Sequence, residues 1–138
     1  MAVEVDGFGG SSQHGVEFMR DTALSGRSIL VVEEEPYIAS QLEEQFRRAG
    51  AKVFAAARLK DALHLVEHPA LSAAVVNLRL DGDSTTRVCH RLTHHRVPFI
   101  IHTRHDTTQA AQTWPNAPII SKPADSGVLL KTVVALLH

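Results

Sequence analysis

Four short apolar runs in this chain end in side chains that can do chemistry. "SILVV" runs into Glu33, Glu34 and Glu35, and "SAAVV" into Asn77. "PFIIH" closes on His102 with Thr103 next, and "APII" leads to Ser121, Lys122 and Pro123. Carboxylates and a carbonyl oxygen hold a hard cation such as Mg²⁺, while hydroxyl and ammonium groups hold phosphate oxygens. Gathered in one cleft, these groups would suit a divalent cation and a phosphoryl group together.

Whether they converge depends on the elements that carry them. Runs 28–32, 52–56, 72–76, 98–102 and 117–120 are apolar and rich in β-branched residues, as strands buried on both faces are. Between them lie amphipathic helical patterns. Pro36 suits a first helical position, Ile38, Leu42, Phe46 and Ala49 share one face, and Gly50 ends that helix. Leu59, Ala62, Leu63 and Val66 mark a second helix. After an Asp-Gly turn, Asp83 or Ser84 caps a third that runs to about Arg96 with Val88 and Leu92 inward. A short helix is expected over 107–113. The last helix turns Leu130, Val133, Val134 and Leu137 inward, with Leu129 and Leu136 either widening the buried stripe or forming a contact surface.

Strands alternating with helices predict an α/β, doubly wound sandwich of flavodoxin-like type, with a parallel five-stranded sheet in the order 2-1-3-4-5. Such sheets bind outside the carboxyl ends of their strands, near the switch between the first and third. Residues 1–26, with "GFGGSSQHG", read as a flexible N-terminal tail, and 27–138 as the domain.

Bulk properties narrow the function classes. The chain has 138 residues, 44% hydrophobic and 21% charged, enough for one domain with a core. With 14 basic and 15 acidic side chains, scattered, it lacks the clustered surplus of a nucleic-acid interface. No apolar stretch is long enough to span a bilayer, and the acidic N-terminus is unlike a signal peptide. The single Cys89 fits a reducing cytosol and a small core residue, so a cytoplasmic location is expected.

"ILVVEEEP", "AAVVNLRLDGDS", "VPFIIHTR" and "IISKP" resemble, in order, the four signature segments of the response-regulator receiver domain of two-component systems. The resemblance covers about residues 27–138. It implies that Glu33 and Glu34 match the acidic pair that holds Mg²⁺, with the Arg79 carbonyl beside them. It implies further that Asn77 stands where an aspartate accepts phosphate from a histidine kinase. Thr103 matches the switch hydroxyl, and Lys122 the lysine that pairs with acceptor and phosphate. The Lys122–Pro123 bond matches one that is usually cis.

Departures from the pattern fall on the mechanism itself. An acyl phosphate needs a carboxylate nucleophile, and Asn77 is a neutral amide. Glu34 is one methylene longer than the usual aspartate, against a cation that demands near-octahedral geometry. Arg104 replaces a small residue, Ile119 an aromatic switch residue, and Ala124 a phenylalanine. Together they imply a degenerate pseudo-receiver in which Mg²⁺ binding is weak.

Plainer readings stand beside these. Asn77 can be a turn former, Glu33–Glu35 a solvated helix start, and Lys122 a counter-charge to those acids. His90 and His94, one helical turn apart, form a two-ligand face without a third ligand, so a solvated face is the better account. His94 and His95 lack the paired long helices of a phosphohistidine site. Asp81 and Asp83 are substitute acceptors in the alternative reading, although turn chemistry explains them.

The sequence therefore predicts a non-enzymatic, stand-alone receiver-like module, phosphorylation-independent and acting by protein–protein interaction. Its partner would be a histidine kinase, another regulator, or a second copy through the fourth-helix to fifth-helix face. No nucleic acid or membrane contact is expected. An unrelated α/β enzyme or flavin binder fits less well, since no glycine-rich phosphate loop follows the first strand.

Overall fold

The computed structural model describes residues 22–104 and 107–138. The apolar runs form five strands: β1 (Ser28–Val32), β2 (Lys52–Ala56), β3 (Ala73–Val76), β4 (Phe99–Thr103) and β5 (Ile119–Ser121). They pair in parallel in the order β2-β1-β3-β4-β5, the flavodoxin-like order expected. Helices α1 (Pro36–Arg48), α2 (Leu59–Leu65), α3 (Thr86–His94), α4 (Thr107–Thr113) and α5 (Ser126–Leu137) connect and follow them.

Strand alternation divides the core in two. Ile29 and Val31 of β1 pack with Leu42 and Phe46 of α1 and with Leu129, Leu130 and Val133 of α5. Leu30 and Val32 pack on the other face, with Ala62, Val88, Leu92 and Ala110 from α2, α3 and α4. Both faces of the sheet are thus covered, and the carboxyl ends of β1 and β3 open at one edge. Among the described residues no helix is long and apolar enough to cross a membrane.

Two helices end in the same hydrogen-bond motif with different residues at its left-handed position. After α1, Gly50 (φ 97°) donates to Arg47 O and Ala51 to Phe46 O. After α3, Arg96 (φ 60°) donates to Thr93 O and Val97 to Leu92 O. This is the Schellman ending, whose left-handed residue is usually glycine. At Gly50 packing adds a second reason, because a Cβ there would stand 2.8 Å from Ser25 Oγ.

The structure revises several sequence expectations. Residues 22–26 are not part of a tail: Leu24 is fully buried and its N–H donates to Ala49 O at 2.8 Å. The other residues assigned to the tail lie outside the described residues. Neither Asp83 nor Ser84 occupies the α3 cap position, which falls to Thr85. Instead Arg79–Leu80 and Asp83–Ser84 pair as a small antiparallel hairpin around Asp81 and Gly82, both at positive φ. Asp-Gly is suited to such a two-residue turn. Of the two undecided leucines on α5, Leu129 is buried and widens the stripe, while Leu136 is partly exposed.

Candidate functional site

Glu33 is the first residue beyond β1, and its N–H donates to Ala56 O, so the parallel ladder holds its backbone. Its side chain is only 2% exposed. Lys122, the first residue beyond β5, brings an ammonium 2.9 Å from both Glu33 carboxylate oxygens and 2.9 Å from Glu35 Oε2. That lysine side chain is 1% exposed, so one buried cation bridges two acids. Glu33 also accepts from Glu35 N–H at 3.1 Å and from the Asn77 amide at 3.4 Å. A buried charge is tolerated when it is paired and its remaining lone pairs are satisfied, and Glu33 meets both conditions.

Period two along the extended chain separates the three glutamates. Glu33 and Glu35 turn to Lys122, while the Glu34 carboxylate accepts from the backbone N–H of Asp81 and holds the hairpin. Arg104 pairs with Glu35 at 3.2 Å. The Lys122 hydrogen bond, with Arg104 adding to it, holds the Glu35 carboxyl below its ordinary range against the opposing effect of burial.

Asn77 follows β3 and is buried. Its N–H donates to Val32 O, and its carbonyl accepts from the buried Thr85 hydroxyl at 2.7 Å. Backbone and side chain are therefore both fixed. Thr103 ends β4 in a buried position, and its carbonyl accepts from Lys122 N–H. His102 lies beneath, 1% exposed, with Nδ1 4.0 Å from Glu33 Oε1 and neither ring nitrogen hydrogen-bonded. Burial, helped by the charge of Lys122, pushes its imidazole down to about 4. It is neutral near pH 7, so its approach to Glu33 is not an ion pair.

Above these groups a small groove of about 80 Å³ is lined by Glu34, Glu35, Asn77, Arg79, Thr103, Arg104 and Lys122 among others. The residues singled out in the sequence thus converge, apart from two. Ile119 packs against the core on the α2–α4 face, and Pro123 contributes the cis Lys122–Pro123 peptide beside the groove. Arg79 is exposed and donates to Gly82 O.

The donor set fits Mg²⁺ poorly. A hard dication needs free carboxylate oxygens in near-octahedral array. Glu33 is taken up by an ammonium, an N–H and an amide, and Glu34 by the hairpin backbone. Asn77 presents its NH₂ to Glu33 and brings no charge. Among the described residues no group of three or more His, Cys, Asp or Glu is arranged to hold a metal ion.

Residues 29–134 match the response regulator receiver domain family. The chain belongs to that family. Receiver structures share its fold at low identity. One is a response regulator receiver protein from Sinorhizobium medicae (TM-score 0.72, 22% identity), covering 83% of this chain and 95% of that one. Another is a CheY-like receiver domain protein from Methanospirillum hungatei (TM-score 0.72, 19% identity), covering 82% and 94%. A third is the receiver domain of the response regulator PhyR from Erythrobacter litoralis (TM-score 0.71, 24% identity), covering 83% and 92%. No curated protein matches the sequence.

Within this receiver fold, Thr85 is the buried site neighbour the sequence does not mark, while Glu35 and His102 stand at their strand ends in the sequence without an assigned role. Glu35 was legible from alternation, since it lies two residues from Glu33. Thr85 and His102 act through packing that no local pattern announces.

Proposed function

We propose that this receiver domain is a signalling module of a two-component system that works by protein–protein interaction and takes no phosphate at Asn77. The observation that carries the reading is the Asn77 amide donating to a Glu33 carboxylate already bridged by Lys122 to Glu35. An amide cannot form the acyl phosphate, and the lysine that would meet a phosphate is held by two acids. With Arg104 on Glu35, the pocket supplies its own cations. Output then passes through a partner: a histidine kinase, another regulator, or a second copy on the face of α4, β5 and α5, where Val128 is exposed.

The test is incubation with a small-molecule phosphodonor and Mg²⁺, followed by intact-mass spectrometry. The unmodified mass is the expected result. An acyl phosphate on any carboxylate, the exposed Asp81 and Asp83 included, would sink the reading. Asn77→Asp forms the second arm. If it too stays unmodified, Glu34 and Arg104 are disabling in their own right.

A further inference from the structure

At the end of the sheet away from Lys122, a groove of about 420 Å³ opens where the chain enters β4 and β5. Its walls are apolar, with Val97, Phe99, Trp114 and Leu136 among them. Trp114 is fixed edge-on against Phe99, ring centroids 5.9 Å apart, and against His90 at 4.8 Å. One cation stands at this groove, Arg96, and among the described residues it has no acidic partner. Apolar walls of this size with a single charged anchor describe a small-molecule site.

The backbone of Arg96 makes a second, independent observation. It holds the left-handed position of the α3 ending at φ 60°, the position that Gly50 fills after α1. Glycine would relieve the conformation. A strained non-glycine residue that lines an apolar groove and carries its one cation points to a use for that side chain.

We propose that this groove binds a small aromatic carboxylate, its ring between Phe99, Trp114 and Leu136 and its anionic group on Arg96. Arginine meets a carboxylate through two parallel N–H donors, and the rim keeps the charged end near water while the ring is buried. The site is separate from the pocket at Asn77 and needs neither phosphate nor metal.

Naphthoate is the probe, with uncharged naphthamide as its control, titrated into the full chain and followed by heteronuclear NMR. Saturable shifts are expected at the Trp114 indole and the Val97 and Phe99 amides. Arg96→Gly preserves the helix ending and is expected to weaken naphthoate by roughly tenfold or more, leaving naphthamide unchanged. Absence of saturation would overturn the proposal, as would equal naphthoate affinity in Arg96→Gly or shifts centred on Thr103 and Lys122. Two results in the probe-free protein would also overturn it by assigning another occupant. One is a Trp114 signal that moves with protein concentration, meaning a second copy; the other is Overhauser contacts from residues 1–21 to Trp114.

Discussion

The Lys122 ammonium lies 2.9 Å from the Glu33 carboxylate, and both side chains are almost wholly buried. Each therefore depends on the other for charge compensation. Lys122→Met should lower the unfolding free energy by about 3–5 kcal/mol, because Glu33 is left as a buried unpaired acid. Chemical denaturation measures it. Adding Glu33→Gln to Lys122→Met should recover most of the loss, whereas simple additivity of the two would argue against coupling.

His102 makes stability fall with acid. In the unfolded chain its imidazole protonates near the ordinary value of 6.5, in the folded protein only at about 4. Between these values the unfolded state binds more protons, so stability rises with pH across that window and is lost on acidification. The difference corresponds to about 3 kcal/mol. Urea unfolding at a series of pH values should show this slope, and His102→Leu should flatten it. Glu35 acts at lower pH. Its depressed carboxyl contributes stability above the unfolded value of 4.5, which is lost as pH falls through the folded value.

Asn77→Asp should place a further carboxylate against Glu33 and lower stability at neutral pH by about 1–2 kcal/mol. The new acid resists ionisation in the fold, so its carboxyl titrates above the ordinary range. The loss should therefore shrink as pH drops and the new acid protonates. A deficit independent of pH would mean that shape, not charge, disturbs the site.

Arg96→Gly should raise the thermal midpoint. Releasing a left-handed non-glycine residue is worth about 1 kcal/mol, reduced by the added freedom of the unfolded chain. Calorimetry reads it directly. A lower midpoint would show that the arginine side chain holds the α3 ending in place.

Much of the architecture was legible because a parallel sheet covered on both faces leaves its strands uniformly apolar. The ends were less so. Ala117 was expected in β5, but its N–H closes the turn after Trp114, and pairing begins at Ile119. The hairpin over Arg79–Ser84 has only two paired residues in each arm, too few for a periodic signal. Converging chemistry at the strand ends could be read from order alone. Of the partners, Lys122 as counter-charge to the acids at Glu33–Glu35 could be read as well, whereas the turn of Glu34 to the hairpin backbone could not. The left-handed Arg96 escaped notice because nothing in its type marks that conformation.

The shared lysine between Glu33 and Glu35 also bears on how this sequence can change over generations. An acid placed at position 77 would meet a lysine already claimed and a Glu34 engaged elsewhere. An acid introduced there alone would therefore give a less stable protein. Substitutions at positions 33, 35, 77 and 122 are thus coupled, and a change at any one of them is felt by the others.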